Sequence, residues 1–513
     1  MKPARLYGTI KHPTLWIEGN SGDSLKGKTI VLAVTGSIAA VRVIELARML
    51  IRKGASVYGV MSDAATKIIH PDSLEYATGN PVCTQITGNV EHVAFFGSEG
   101  VADLLLIAPA TANTVSKIAA GIDDTPVTTF ATTAIGEGKK VIIVPAMHES
   151  MYNHPKVKEN IKTLKNMGID FVGPVFEENI AKISSNESIV LRVEKALHPA
   201  SPLKGQKILI SSGSTAEKID PIRILTNRAS GKTGEALAIE AYKRGAEVYI
   251  FRRNNTPIPI IDDRNFKDIR VESATEMTEA VLENIDNEEE LYVTGKANIL
   301  ISAAAISDYK LSDDDIFENK IKSGESLTLD FVPTPKLIEE ARKKSSELWI
   351  VAYKAETELN DEKALSNALK KFREKDIDID MLIANNVLKT GMGTDTNTVK
   401  ILKNKSMNEK DLAKLKSIEG TKEKIAVEVL NEIENMLLAE KNAYLNKLKK
   451  EKDEKQNDET GENAQTEIEP FTRRRYYEMG DGGAVFISAS KRRKKPLKIQ
   501  GKTYGEPKRI EDK

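Results

Sequence analysis

A repeated arrangement of apolar run, glycine-bearing loop and helical stretch constrains this chain more than any other feature. TIVLAVT (residues 29–35) leads through Gly36-Ser37 into a helical stretch over residues 38–53, and SVYGVMS (residues 56–62) follows at once. Apolar runs joined by a helical crossover are the unit of a parallel sheet. The unit returns in ADLLLIAPATANTVSKIAAG (residues 102–121) and in KKVIIVPAMHESM (residues 139–151), with Asp170-Phe171-Val172 as a candidate edge strand. One doubly wound α/β domain over residues 27–197 accounts for this half, after a loose lead-in over residues 1–26.

HPASPLKGQ (residues 198–206) carries two prolines and a glycine and reads as a linker. The α/β pattern then restarts with KILISSG (207–213), a helix over 234–244 and AEVYIF (246–251). Further runs at 299–307, 347–356 and 380–387 extend a second sheet, and an amphipathic helix over 422–438 closes a domain spanning 207–438. The fold class expected is therefore α/β, two tandem doubly wound domains. A charged tail over 439–513 is poor in apolar residues, so disorder is expected there; its KRRKK (491–495) reads as a solvated tail, with contact to RNA or acidic partners as the alternative.

Composition narrows the function classes. Lysine plus arginine and aspartate plus glutamate balance at 75 each, so no overall field favours nucleic acid or a membrane. The single cysteine, Cys83, excludes an intrachain disulfide framework and fits a reducing cytosol. No run reaches the roughly 18 apolar residues needed to span a bilayer. A cytoplasmic protein acting on small molecules is the expectation.

In the first domain, a strand ending in Thr35-Gly36-Ser37 and turning into a helix offers N–H groups, hydroxyls and a helix dipole to an anion. One glycine stands where a dinucleotide fingerprint has three, so a monophosphate fits better than a pyrophosphate; a plain tight turn is the bland alternative. Two further loops, Pro109-Ala110-Thr111-Ala112-Asn113 and Pro145-Ala146-Met147-His148, belong to the same carboxyl edge, where ligands settle in open α/β sheets.

TGSIAA, EHVAFFG, ADLLLIAPATAN and PAMHESM, in that order and spacing, resemble the phosphopantothenoylcysteine decarboxylase family of FMN proteins over residues 28–173. The resemblance implies a flavodoxin-like fold, trimeric packing, and FMN held by Gly36, Ser37, Ser62 and the loop of Pro109, Ala110, Thr111, Ala112 and Asn113. It places His92 as the catalytic histidine, a residue suited to taking a thiol proton near neutral pH. The route it implies oxidises the substrate thiolate to a thioaldehyde, releases CO₂ and returns hydride from reduced flavin. Two departures stand out. His148 occupies the place where many members have asparagine for the substrate carboxylate, as archaeal-type members do. The clamp cysteine that protonates the enethiolate has no counterpart in FEENIAKIS (residues 176–184), leaving His148, Lys182 or water as donors.

In the second domain, residues 211–234 form a long polar loop between strand and helix. Its SGKT fails the P-loop pattern, which needs glycine where Thr226 stands, so a strand–loop–helix anion site with Gly213 and Gly231 remains. GSTAEKIDPIR, TNRASGKTG, SAAAISDYK, NKIKS, VAYKAETE and IANNV together resemble phosphopantothenate–cysteine ligase over residues 207–402. This implies a Rossmann-like, dimeric ligase in which Asn227 handles the acyl-nucleotide. Asp308 with Ala303, Ala304 and Ala305 holds the nucleotide and its Mg²⁺, and Lys320 reaches the triphosphate. Thr334, Pro335, Lys336, Leu337, Tyr353, Lys371 and Lys375 complete the pocket. CTP as co-substrate comes from the resemblance alone, and Asp313-Asp314-Asp315 reads as solvated because neighbouring loop residues point apart.

The ligase product is the decarboxylase substrate, so both resemblances on one chain imply a two-step route from 4′-phosphopantothenate and cysteine to 4′-phosphopantetheine. The rivals are a decarboxylase of C-terminal peptidyl cysteine and a regulatory binding protein on the decarboxylase fold.

Overall fold

The computed structural model describes residues 12–177, 180–254, 256–260, 263–286, 298–322, 324, 327–356, 377–386, 393–403, 417–458, 478–480 and 483–485. Its first sheet is built from β1 (Thr29–Val34), β2 (Ser56–Met61), β3 (Leu104–Ala110), β4 (Lys140–Pro145) and β6 (Asp170–Phe171), all parallel, in the order β2-β1-β3-β4-β6. A separate antiparallel ribbon joins β5 (Met147–His148), β8 (Ile180–Lys182) and β7 (Val175–Glu177).

Successive side chains of a strand face opposite sides, and here both sides are covered. Ile30, Leu32, Val34, Leu104 and Leu106 pack with the helices Val43–Arg52 and Asn186–Leu197. Val31, Ala33, Leu105 and Ile107 pack with the helices Ala112–Ala119, Pro126–Gly136 and Pro155–Asn166. That two-sided burial is why the strands read as continuous apolar runs.

The second sheet has eight strands, in the order β13-β12-β9-β14-β17-β18-β19-β20. They are β9 (Lys207–Ser212), β12 (Glu247–Arg252), β13 (Phe266–Arg270), β14 (Asn298–Ser302), β17 (Trp349–Glu356), β18 (Met381–Asn386), β19 (Thr396–Lys403) and β20 (Ile418–Thr421). The first six are parallel; β19 and β20 add antiparallel at the edge and lie outside the runs singled out in sequence. Two small ribbons stand beside this sheet, β10 (Ala216–Lys218) with β11 (Ile224–Thr226) and β15 (Tyr309–Leu311) with β16 (Phe331–Pro333).

Two stretches differ from expectation. The described part of the lead-in, residues 12–26, is docked rather than loose: Leu25 is buried, the Leu25 N–H donates to Lys53 O at 2.8 Å, and Arg48 reaches Thr14 at 3.0 Å. The closing helix runs Lys422–Asp458, so the charged stretch after residue 438 continues it for about five and a half more turns.

The helix Asn186–Leu197 belongs to both units. Ile189, Val190 and Val193 face the first core, whereas Leu191 enters the second. From the same helix, Arg192 bonds Asp170 at 2.7 Å and Asp263 at 3.3 Å, and Lys195 bonds Asp263 at 2.7 Å. Tyr242 donates its hydroxyl to Asp263 at 2.6 Å. Among the described residues no helix is long and apolar enough to cross a membrane.

Candidate functional site

Each large sheet reverses its strand order once, and a reversal opens a crevice at the carboxyl ends of the two strands beside it. In the first sheet the reversal lies between β1 and β3. Thr35 ties those two strand ends together: its Oγ1 donates to Pro109 O at 2.7 Å and accepts from the Thr111 N–H at 3.1 Å. The buried Thr35 hydroxyl is thus spent on the scaffold, not offered to an anion as the sequence pattern implied.

Around that point the loops end in short capped helices. Ser37 caps the 3₁₀ turn Ile38–Arg42, Ser62 accepts from the Ala65 N–H at 3.3 Å, and Thr111 caps Ala112–Ala119. Ala110 and Ala112 are buried beneath this edge while Asn113 is exposed on it. Gly36 is needed for close approach, since a Cβ there would meet the Ala64 Cβ at 2.5 Å. Gly36, Ser37, Ser62 and the Pro109–Asn113 segment therefore share one rim.

His92 lies on the helix Glu91–Phe96, whose preceding residue Val90 has φ of 51°. A β-branched residue in the left-handed region is strained, and such strain concentrates at functional sites. The His92 Nδ1 is buried with no hydrogen-bond partner, and the ring lies 6.5 Å from that of Phe130. A buried polar atom left unmatched is costly unless a ligand completes it. Beside it, burial alone would raise the Glu91 carboxyl; hydrogen bonds from the Thr87 hydroxyl and N–H outweigh this and hold it below the usual range.

His148 and Lys182 both lie on the β5–β8 ribbon. His148 pairs with Ile180, so Lys182, two residues on, lies on the same face. His148 is exposed. Cys83 is off this ribbon, pairing with Val60 on the outer edge of β2; burial and then the charge of Glu91, the neighbour of His92, push its thiol up to about 11.

In the second sheet the reversal lies between β9 and β14. Gly213 has φ of 79° and Gly231 of 88°, conformations that glycine adopts freely. The Ala303 N–H donates to Ser211 O at 3.2 Å, the Ala304 N–H to Ser211 Oγ at 3.3 Å and the Ala305 N–H to Gly213 O at 2.7 Å. Asn227, just beyond β11, donates its amide to Ala305 O at 3.0 Å. Asn227 and the Ala303–Ala305 backbone thus share one crevice.

Asp308 pairs with the Lys336 ammonium, and its carbonyl accepts from the Thr334 N–H at 3.1 Å. Lys336 precedes the helix Leu337–Lys344, with Pro335 exposed and Leu337 buried beneath. The Tyr353 hydroxyl, at the carboxyl end of β17, is buried without a partner, and burial pushes its pKa up. Lys320 is exposed next to Ile321. Lys371 and Lys375 lie outside the described residues. Asp313–Asp315 form an exposed 3₁₀ turn, with Lys310 on Asp313 at 2.9 Å. Among the described residues no three His, Cys, Asp or Glu side chains gather as a metal site.

Two family matches fall on the two units: Flavoprotein on residues 18–198, and DNA/pantothenate metabolism flavoprotein C-terminal domain on residues 203–437. The Coenzyme A biosynthesis bifunctional protein CoaBC of Thermococcus kodakarensis is 45% identical over 427 residues, 83% of this chain and 100% of the relative. Its namesake from Methanocaldococcus jannaschii is 35% identical over 433 residues, 84% of this chain and 100% of the relative. The one from Bacillus subtilis is 32% identical over 392 residues, 74% of this chain and 91% of the relative. With both domains in the same order and the whole length of two such relatives spanned, the chain belongs to the CoaBC family of bifunctional coenzyme A biosynthesis proteins.

Proposed function

We propose that this chain performs two consecutive steps: ligation of cysteine to 4′-phosphopantothenate with CTP, then decarboxylation of 4′-phosphopantothenoylcysteine to 4′-phosphopantetheine. The ligase is assigned to residues 207–438 and the decarboxylase to residues 27–197. The observation that carries this reading is the coincidence of motif and topology: in each sheet loops with family-type residues flank the place where strand order reverses, Thr35-Gly36-Ser37 with Pro109–Asn113 in the first and Gly213 with Ala303–Ala305 in the second.

In the decarboxylase, Gly36, Ser37, Ser62 and Pro109–Asn113 form the rim suited to FMN, and the unmatched His92 Nδ1 marks a polar position awaiting a ligand. FMN bound there would supply reversible two-electron chemistry. His92 takes the thiol proton, within an aromatic wall of Phe95, Phe96 and Phe130 that limits water. His148 donates to the substrate carboxylate, and His148 or Lys182 on the same ribbon face returns a proton.

In the ligase, a carboxylate accepts an amine only after gaining a good leaving group, which transfer to the α-phosphate of CTP provides. Lys320 and Lys336 offset charge on the phosphate oxygens, and Asp308 would hold Mg²⁺, which would offset more of that charge. Asn227, oriented by Ala305 O, contacts the acyl-nucleotide, and the Tyr353 hydroxyl offers a donor to the nucleotide. Exposed Ile38 and Val41 beside the flavin rim, and Ile222, Tyr309 and Phe331 on the two ribbons, favour assembly into decarboxylase trimers and ligase dimers in the cytoplasm.

Mass spectrometry of the full chain with 4′-phosphopantothenate, cysteine, Mg²⁺ and CTP tests the reading. Phosphopantetheine should form, and His92→Asn should stop at phosphopantothenoylcysteine. Absence of both products with CTP or ATP would overturn it in favour of a binding protein.

A further inference from the structure

The loop between β10 and β11 is zipped to a segment roughly a hundred residues further along the chain. Phe317 N–H donates to Ile219 O at 3.1 Å, and Ile321 N–H donates to Asp220 Oδ2 at 3.1 Å. The Arg223 guanidinium, itself paired with Asp220, donates to Ile321 O at 3.3 and 3.4 Å. Asp220 Oδ1 meanwhile accepts from the Ile222 N–H at 2.8 Å and the Arg223 N–H at 2.7 Å, closing the turn.

One carboxylate therefore gathers three backbone N–H groups and a guanidinium. It is buried, in a loop whose neighbours Pro221, Ile222 and Arg223 are all exposed. Burial alone would raise this carboxyl, yet the N–H groups of Ile222, Ile321 and Arg223 with the Arg223 side chain hold it down to about 2. It is ionised throughout the working range, and hydrogen bonds to an ionised acceptor are the stronger kind.

The two segments that Asp220 joins carry two of the residues assigned to the ligase reaction, Asn227 and Lys320. The hairpin runs through Ile224–Thr226 directly into Asn227, and the zipped segment contains Lys320 immediately before Ile321. Lys320 is exposed, so its backbone anchorage, not side-chain packing, sets where the ammonium stands.

We propose that Asp220 is a positioning residue for acyl-nucleotide formation, its carboxylate pinning the Lys320 segment to the hairpin that carries Asn227. The inference rests on the ligase reading above. An amide in its place can still accept the two turn N–H groups on its oxygen, but its NH₂ then faces the Ile321 N–H and the Arg223 guanidinium, donor against donor. Asp220→Asn therefore keeps the turn and releases the Lys320 segment.

The test splits the reaction. With 4′-phosphopantothenate, Mg²⁺ and CTP but no cysteine, pyrophosphate release by full-length Asp220→Asn should fall about 10–100-fold, the scale of an ångström-sized misplacement. CMP release from synthetic 4′-phosphopantothenoyl-CMP and cysteine should stay within about threefold, which also reports that the ligase unit is folded. Lys320→Ala should show the same split, and adding Asp220→Asn to it should cost no more than about twofold, because residues acting through one another are not additive. Equal loss in both half-reactions, losses that multiply, or full pyrophosphate release by Asp220→Asn would overturn the positioning role. Full pyrophosphate release by Lys320→Ala would instead overturn the placement of Lys320 at the triphosphate, and the proposal with it. Should Asp220→Asn melt early, Arg223→Lys removes the fork on Ile321 O while sparing the turn. It should reproduce the split in weaker form, and its absence there refutes the proposal.

Discussion

Asp263→Ala removes the one carboxylate that both cations of the shared helix and the Tyr242 hydroxyl use at the joint between the units. Arg192, Lys195 and Asp263 have side chains only 8%, 17% and 7% exposed, so the loss leaves charge in a largely dry setting. Breaking a fully buried pair costs about 3–5 kcal/mol. Arg192 keeps Asp170, and the Lys195 ammonium retains its approach to the Tyr242 ring at 3.8 Å, so about 2–3 kcal/mol is expected here. For a unit of this size that lowers the calorimetric transition by roughly 4–12 °C. The pH dependence gives a sharper check. Burial alone would raise the Asp263 carboxyl, but hydrogen bonds from Lys195, Tyr242 and the Asn265 N–H, with Arg192 nearby, hold it down to about 2. An unfolded aspartate titrates near 3.9. A depressed folded value stabilises above the unfolded value and is lost as pH falls through the folded one. The deficit of Asp263→Ala should thus be constant between about pH 5 and 8, and the ionisation-linked part of it should shrink by about half near pH 3. Burial pushes the Lys195 ammonium down, and its bond to Asp263 offsets this only in part, so in the variant the stranded ammonium is depressed further and part of the deficit should be regained at alkaline pH, where it loses its proton. An unchanged transition at pH 7, or a deficit that grows on acidification, refutes the joint.

Gly36→Ala should cost about 1–3 kcal/mol of overpacking, because its Cβ would meet the Ala64 Cβ at 2.5 Å and spread the rim. Flavin absorbance per chain after gel filtration should fall severalfold while pyrophosphate release is unchanged; full retention of flavin contradicts the assigned rim. Gly234→Ala drives a Cβ to 2.4 Å from Ser212 Oγ and 2.5 Å from Ser212 Cβ. It should destabilise the second unit by about 1–3 kcal/mol in thermal melts. Ser212→Gly in the same chain should restore most of that; no restoration means the strand–helix contact is not the cause.

What could be read from sequence follows from how many faces of each element are buried. The parallel strands β1, β3, β4, β9 and β14 are covered on both sides, so each appears as an uninterrupted apolar run. β19 alternates Asn397, Val399 and Ile401 with more open Thr398 and Lys400, and β20 alternates half-buried Ile418 and Gly420 with exposed Glu419 and Thr421, so neither rises above the loops around it. The closing helix loses its apolar face after Leu437, yet alanine, lysine, glutamate and leucine carry it on to Asp458 by propensity, without packing to announce it. Leu25 is an isolated apolar residue and Leu15 belongs to the short run Leu15-Trp16-Ile17 in a polar stretch, and only the surface they dock on, beside the helices Val43–Arg52 and Pro71–Thr78, makes them core.

The site was legible where chemistry and backbone constraint share a motif. TGS and APATAN mark the first crevice, SSGS and SAAA the second, because small residues are what allow strand ends to approach a ligand. The roles of individual side chains were less legible. The Thr35 hydroxyl in TGS has the composition of an anion ligand, yet it joins Pro109 to Thr111 and so builds the crevice. Asp220 in DPIR has the composition of a turn, yet its second oxygen holds a backbone N–H 101 residues on. Both depend on partners that only the reversal of strand order brings near. A motif identifies where the reaction happens; the residues that hold its parts in register are found by asking where each buried polar atom is bonded.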